Sequence, residues 1–425
     1  MPGNLDTQAR SILKENDLGG YTIPTRGLYP YQWNWDSAFV ARGFQTFDPD
    51  RAWTEIETLF EGQWDDGMVP HIVFRKDDPS YFPGPSVWGT KQALPTSGHS
   101  QPPVVATVVR DIYEADREAG EARARALFPK ILAWHRWFHR YRDPDGLGVV
   151  AVIHPWESGR DNTPDWDGPM QAVDTSNIKP YVRKDTSHVD PSMRPLKADY
   201  DRYLAIVDFG RSCGWDAARV ARDCPFFVAD PGMTFILLRA DRDLLALAQA
   251  FGEDEAAQEI GEWIERAETG AIRHLWSDEV EGFVSRDLRK NKLMDGISSA
   301  SFLSVYAGIA DERTNAALAR QFDRIAEKAT YLMPSWDPED SRFEHLRYWR
   351  GPVWAVVNSM IGRGLLEAGD FARAERIRAD TARLIETSGF AEYYSPVTGA
   401  GAGGGAFSWT AAVWLFFARH EIPQG

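Results

Sequence analysis

Leu127-Phe128-Pro129-Lys130-Ile131-Leu132-Ala133-Trp134-His135-Arg136-Trp137-Phe138 is the stretch on which the fold class turns. Leu127, Ile131, Trp134 and Phe138 fall at i, i+4, i+7 and i+11, on one face of a 3.6-residue helix. Outward from it the same period returns. Val105, Val108 and Ile112 carry it after Pro102-Pro103, and Leu237, Ala240, Leu244 and Leu247 carry it again, with Arg239, Asp241, Arg242 and Asp243 between them. Further helices are predicted over 4–16, 36–63, 199–213, 254–275, 298–310, 313–330, 352–368, 370–387 and 408–420. Alternating patterns are few, and Gly148-Val149-Val150-Ala151-Val152-Ile153 is the clearest. Many helices without a parallel-sheet rhythm predict an all-α protein. Long loops at 64–103, 154–198, 331–351 and 389–407 separate the helices. Loops of that length in a compact domain are usually functional or disordered, and their tryptophans and prolines argue against disorder. No Ser/Gly or Pro-rich linker and no exact repeat divides the chain. The expectation is one domain over 1–425, a closed ring of helix pairs with its long loops at one end and insertions around 64–103 and 154–198.

Composition limits the function. The chain of 425 residues has a net charge of -15, with 43% hydrophobic and 26% charged residues. That balance suits a soluble globular protein and argues against nucleic acid or an anionic membrane as partner. A small anionic substrate stays open, because a local arginine outweighs the global sign. Two cysteines, Cys213 and Cys224, make no disulfide framework. Met1-Pro2-Gly3-Asn4-Leu5-Asp6 lacks a basic region followed by an apolar stretch, so the expected compartment is the cytoplasm. A homo-oligomer is compatible with the composition. The outlier is 17 tryptophans beside 14 tyrosines and 22 phenylalanines. Many sit next to Gly, Pro, Asp or Asn, where ring faces and polar groups share one surface, as a sugar requires.

Two segments carry acids in such surroundings: Trp156-Glu157-Ser158-Gly159-Arg160-Asp161-Asn162 and Gly389-Phe390-Ala391-Glu392-Tyr393-Tyr394. Glycoside cleavage needs one carboxyl acid and one carboxylate base on opposite sides of a sugar ring. The first segment runs on to Asp165 and Asp167, and spacing alone does not choose among Glu157, Asp161, Asp165 and Asp167. A calcium loop is the bland alternative, but the EF-hand spacing is absent. Within Tyr29-Pro30-Tyr31-Gln32-Trp33-Asn34-Trp35-Asp36, Asp36 is placed either to cap a helix or to accept sugar hydroxyls beside a stacking Trp35. Gln101 follows Ser100, a candidate cap, and can bond a hydroxyl in both senses. In Tyr348-Trp349-Arg350-Gly351-Pro352-Val353-Trp354, Arg350 can hold a carboxylate of substrate or protein. Gly401-Ala402-Gly403-Gly404-Gly405-Ala406 fits the dinucleotide pattern only formally, since no βαβ unit surrounds it. Its glycines are read as allowing close backbone approach. His135 and His139 lie one helical turn apart, but Arg136 stands where a zinc protease needs glutamate, so a structural role is expected.

Together and in this order, the motifs at 32–37, 156–162 and 348–354 and the Glu392 loop resemble glycoside hydrolase family 63, in its short bacterial branch of mannosylglycerate and glucosylglycerate hydrolases. The resemblance spans nearly the whole chain. It implies an (α/α)6 barrel, no required metal or cofactor, and inversion at the anomeric carbon. By resemblance Asp161 is the general acid and Glu392 the general base. Trp35, Asp36, Gln101, Trp156, Gly159, Trp349 and Trp354 match positions around the sugar. Tyr29, Trp33, Arg194 and Tyr200 match positions that hold the glycerate, where a guanidinium can grip a carboxylate with two hydrogen bonds. One residue departs: glycerate-specific relatives place a glutamine near Phe407, which cannot make those bonds. Either the loop is shifted or the leaving group differs.

The expected reaction is inverting hydrolysis of a small α-glucoside or α-mannoside such as glucosylglycerate or mannosylglycerate. The alternatives are an α-glucosidase acting on a neutral disaccharide or glucosylglycerol, a sugar epimerase or isomerase, and a sugar-binding protein without catalysis. An epimerase would use paired histidines, and His99 and His154, beside the motif-rich loops, show no evident partner in sequence. Loops 64–103 and 181–198 are the candidates to cover the pocket.

Overall fold

The computed structural model describes residues 2–187 and 189–422. Met1, at the head of the N-terminal stretch read above, and His188, within the 154–198 loop, lie outside the described residues. Among those described, the helices Asn34–Gln45, Val105–Ala115, Pro231–Phe251, Leu303–Ala307, Ala355–Glu367 and Ser408–Val413 contact one another in that order, and the last returns to the first. This closed inner ring is wrapped by Pro49–Leu59, Arg117–Tyr141, Asp254–Leu275, Glu312–Lys328, Phe371–Ser388 and Pro2–Asn16. The architecture is an (α/α)6 barrel. Each outer helix follows an inner one in the chain, except that Pro2–Asn16 packs against Ser408–Val413 and joins the two ends.

The two rings differ in sequence for a physical reason. Outer helices need one apolar stripe, and Glu312–Lys328 buries Thr314, Ala317, Leu318, Phe322 and Ile325 on one face. Inner helices are covered nearly all round. Pro231–Phe251 therefore buries even Arg239, Asp241 and Asp243, charges that interrupt its apolar period in sequence. Each is paired. Asp241 accepts from His135 at 2.7 Å and His139 at 3.0 Å, and Asp243 binds Arg239 at 2.8 Å and Arg110 at 2.8 Å. The one-turn spacing of His135 and His139 thus serves to clamp Arg117–Tyr141 to its inner neighbour through one carboxylate.

Several helix boundaries move. The helix expected over 36–63 is two, Asn34–Gln45 and Pro49–Leu59, because Asp48 caps the second by accepting from the Arg51 amide at 3.2 Å and Pro49 opens it. The 298–310 element reduces to a 3-10 turn, Ser299–Phe302, and Leu303–Ala307, stopped by left-handed Gly308 at φ +74. The 352–368 element starts only at Ala355, and the α-helical part of 408–420 ends at Val413. The strand expected over 148–153 shrinks to Ala151–Val152, which joins Val228–Ala229, Arg286–Asp287 and Lys292–Leu293 in one antiparallel sheet. No helix among the described residues is long and apolar enough to cross a membrane.

The ring closes at a seam with no spare room. A Cβ on Gly43 would lie 2.6 Å from Ala412 Cβ and 2.8 Å from its Cα. Gly43→Val is therefore expected to destabilise the fold by about 1–3 kcal/mol, the usual cost of overpacking. A lower midpoint in urea unfolding checks this; an unchanged midpoint would mean that the seam yields.

Candidate active site

All four long loops deliver side chains to one pocket at an end of the barrel. His71, Tyr81, Phe82 and Gln101 come from 64–103; Trp156, Gly159, Asp161, Lys184, Asp185 and Arg194 come from 154–198. Tyr348 and Trp349 come from 331–351, and Glu392 and Phe407 from 389–407. Tyr29, Trp33, Trp35, Asp36, Tyr200 and Trp409 also line it. Of the residues that the family resemblance assigns to the site, only Trp354 stands outside the described wall. It lies directly behind Trp349, ring on ring at 3.9 Å and 3°, and so fixes the plane of the lining ring.

The carboxylates of the 157–167 segment separate cleanly. Glu157 is held by Arg142 through Nε at 3.0 Å and Nη2 at 2.8 Å, and accepts the amides of Ser100 and Ile153. Asp165 pairs with Arg160 at 3.1 Å. Asp167 takes both Nη atoms of Arg350, at 2.8 and 2.9 Å, so Arg350 holds a protein carboxylate. Asp161 alone of the four has no salt bridge among the described residues, and it alone lines the pocket. Its burial pushes its carboxyl up to about 7; Arg194 works against that shift and the charge of Glu392 adds to it.

Glu392 is as buried but differently equipped. Its Oε1 accepts from Tyr29 Oη at 3.0 Å and Tyr348 Oη at 3.1 Å, and its Oε2 accepts the Gly404 amide at 2.9 Å. Arg194 Nη1 stands 3.8 Å from Oε1. Burial raises the Glu392 carboxyl above its ordinary value, while Arg194 and these three donors oppose the rise. The glycine-rich run makes the amide contact available. Gly403 has φ +74, and a Cβ there would lie 2.2 Å from Glu392 Oε2. Close backbone approach, expected toward a ligand or within a tight turn, is made to the protein's own carboxylate.

Arg194 sits at the centre of this network. Nε donates to Asp185 at 3.1 Å, Nη1 donates to Tyr29 at 3.0 Å, and the guanidinium lies 4.2 Å from the Tyr348 ring centroid. Burial acts upward on Asp185, yet Arg183 and Arg194 together hold it below its usual range. Tyr348, at φ +45, has a backbone that non-glycine residues seldom adopt. No spacing rule marks it, although it heads a motif quoted above.

The aromatic wall is built from fixed rings. Asp36 sits inside the first turn of Asn34–Gln45 and is not its cap; the cap position is Trp33, and no side chain fills the capping role. The carboxyl of Asp36 is raised well above its ordinary value by burial and then by Glu392. The Trp35 amide donates to Gln101 Oε1 at 3.2 Å. Gly159, at φ +70, allows the Trp35 ring to lie against it, since a Cβ would come within 2.8 Å of that ring. Trp33 Nε1 donates to His71 Nε2 at 3.2 Å. His99 and His154, without evident partners in sequence, stack on each other at 5.0 Å, and His99 stacks on His71 at 4.8 Å. Burial drives all three below the usual histidine range, His99 to about 4. They form a neutral buttress, with His154 4.5 Å from the Trp156 ring. Tyr200 packs edge-on against Trp156 at 5.7 Å. Phe407 lies edge-on to Tyr29 at 5.9 Å and beside Trp409 at 4.7 Å. Among the described residues no group of three or more His, Cys, Asp or Glu is arranged to hold a metal ion.

A buried acid, a buried carboxylate with hydrogen-bond donors and stacked indoles make a site fit for proton transfer beside a sugar ring. Residues 29–410 match the family model of the mannosylglycerate hydrolase MGH1-like glycoside hydrolase domain. The chain is 49% identical to the mannosylglycerate hydrolase of Thermus thermophilus over 97% of its length and 100% of that protein. It is 48% identical to mannosylglycerate hydrolase MGH1 of Selaginella moellendorffii over 96% of its length and 84% of the relative. The crystal structure of a GH63 mannosylglycerate hydrolase from Thermus thermophilus in complex with Tris and D-glycerate superposes with a TM-score of 0.94 at 49% identity, covering 97% of this chain and 99% of that one.

The contact between Gly403 and Glu392 gives a direct test of the site. Gly403→Ala is expected to displace the Glu392 carboxylate and cost turnover on the order of a hundredfold, with the unfolding midpoint little changed. Full turnover in the alanine variant would show that the loop relaxes without moving Glu392.

Proposed function

This chain belongs to the MGH1-like glycoside hydrolases of family 63 and is itself a glycoside hydrolase; from that premise we propose that Asp161 and Glu392 are its acid and base in an inverting hydrolysis of mannosylglycerate. The observation that carries the reading is the isolation of Asp161. Its three acidic neighbours are bound to arginines, while it faces the pocket of Glu392 with its proton retained by burial.

Asp161 gives its proton to the glycosidic oxygen, and the bond from that oxygen to the anomeric carbon breaks. Glu392 takes a proton from the water that attacks the opposite face. The free sugar and the hydroxyl-bearing leaving group result, with Asp161 ionised and Glu392 protonated until solvent restores them. Such a geometry requires carboxyls ~6.5–9.5 Å apart, to leave room for the water. Tyr29, Tyr348 and the Gly404 amide hold the base in position. Trp35, Trp349 and Trp156 supply ring faces and exclude competing water. Trp354 positions Trp349, and Arg194 positions Glu392 through its charge and through Tyr29. Gly159 seats the Trp35 ring, and Gln101 ties down its amide. Tyr200 and Trp33 face the leaving group.

Mannosylglycerate comes first because the relatives nearly half identical to this chain bear that activity in their names. Phe407 supports a second reading, in which the leaving group is neutral, because a hydrocarbon ring lines the wall where a hydrogen-bonding side chain would recognise glycerate.

Proton NMR on mannosylglycerate, glucosylglycerate, mannosylglycerol and glucosylglycerol tests both readings. An α-linked substrate is expected to release the β-anomer first; initial α-anomer would refute inversion. Asp161→Asn and Glu392→Gln are each expected to lower kcat by ~10²–10⁴-fold, and near-normal turnover in either would remove that residue from its role. The pH profile adds a signed check. Because the acid must be protonated, kcat/KM should fall as pH rises through about 7. The opposite limb reports Glu392 and should lie above the ordinary glutamate value of 4.5.

A further inference from the structure

The acid of this site is held less directly than the base. Among the described residues no side chain donates to the Asp161 carboxyl, whereas Glu392 is fixed by two tyrosines and an amide. Proton transfer to a glycosidic oxygen requires the acid in one place. The position of Asp161 is therefore set through the backbone that carries it.

That backbone is tied on two sides. Tyr203 Oη donates to the Asp161 carbonyl at 2.8 Å and anchors it to the helix Lys197–Ser212. On the other side stands Asn162, only 5% exposed. Its Oδ1 accepts the Trp349 amide at 2.9 Å, from 187 positions further along the chain. The residue before Trp349 is Tyr348, which donates to Glu392 at 3.1 Å. Beyond it, Val353 exchanges two backbone hydrogen bonds with Tyr394, at 2.7 and 3.0 Å, beside the base. The run from acid to base is short: Asp161, Asn162, Trp349, Tyr348, Glu392. Its link between the two halves is the Asn162 side chain. Arg350 reaches the same segment at Asp167, but that carboxylate is 43% exposed and lies further from the acid.

The choice of asparagine carries a cost. Among the described residues its buried Nδ2 has no hydrogen-bond partner, and an unmade bond on a buried donor weakens the fold. Aspartate would remove the idle donor and keep the acceptor, but it would set a second carboxyl beside Asp161. What asparagine supplies is a neutral acceptor at this reach. Asn162 is absent from the described lining of the substrate pocket, so its contribution is to geometry.

We propose that Asn162 is the positioning residue of the acid: its Oδ1 bond to the Trp349 amide sets where the Asp161 carboxyl stands relative to the indole wall and Glu392. This rests on the reading of Asp161 as the acid and adds the group that holds it.

The test compares wild type, Asn162→Ala, Asn162→Asp and Asp161→Asn on two substrates. One is whichever of the four glycosides above the wild type hydrolyses, whose leaving group needs a proton. The other is the α-fluoride of the same sugar, whose fluoride departs with little need of one. Asn162→Ala should lower kcat on the glycoside by about 10–100-fold, as a displaced catalytic group does, with KM little changed. On the fluoride most of that loss should disappear. Asn162→Asp offers an acceptor oxygen at the same reach in either charge state and should recover most of the kcat. Asn162→Leu, close in shape but without the acceptor, carries the same expectation if the alanine variant does not fold. Equal losses on the two substrates, no recovery in Asn162→Asp, or full kcat without the acceptor overturns the role of Asn162. Near-normal turnover of the glycoside by Asp161→Asn removes the acid itself, and this proposal with it. A severe loss in Asp161→Asn beside an unimpaired Asn162→Ala removes Asn162 alone.

Discussion

A carboxylate withdrawn from water at the end of the barrel, that of Glu392, sets the terms for the rest of the site. Burying a charge is costly unless donors and a counter-ion replace the lost water. Here the replacements come from four separate parts of the chain: Tyr29, Arg194, Tyr348 and the Gly404 amide. Three of them have a further requirement. Arg194 needs Asp185, Tyr348 sits in a strained backbone, and the amide reaches Glu392 only because residue 403 has no side chain. One buried oxygen pair thus couples four segments of the chain into a single unit.

The barrel makes that coupling feasible. Helices paired in a closed ring send their connections to the two ends, and long connections at one end have no route except across its mouth. Rigidity is supplied from below. The clamp of His135 and His139 on Asp241, and the tight seam of Gly43 against Ala412, hold inner helices in register. Behind the pocket, the His71–His99–His154 stack and the paired rings of Trp349 and Trp354 fix the planes of the walls. Polar residues in these positions are structural, and their neutral or paired states keep extra charge away from the reacting groups.

The two carboxyls share burial and separate by their partners. Glu392 is surrounded by donors that favour its ionised form, whereas Asp161 has none from neighbouring side chains and keeps its proton to about 7. Division of labour between chemically similar groups follows from which one is given hydrogen bonds.

Much of this was legible from residues alone. The period of Leu127, Ile131, Trp134 and Phe138 announced helices, and the absence of linkers with long aromatic loops announced a ring. Motif order pointed to the family, and the segments bearing Asp161 and Glu392 were visible as acids among glycines and indoles. What stayed hidden were pairings. Sequence could not tell Asp161 from Glu157, Asp165 and Asp167, because their partners Arg142, Arg160 and Arg350 are identified only by approach in space. Nor could it show that Arg239, Asp241 and Asp243 face inward, since a polar stripe and a buried ion network have the same one-dimensional pattern. Local periodicity is a property of neighbours along the chain and is written in it. The charge state of a buried group depends on atoms brought together from hundreds of residues apart, so only the tertiary structure decides it.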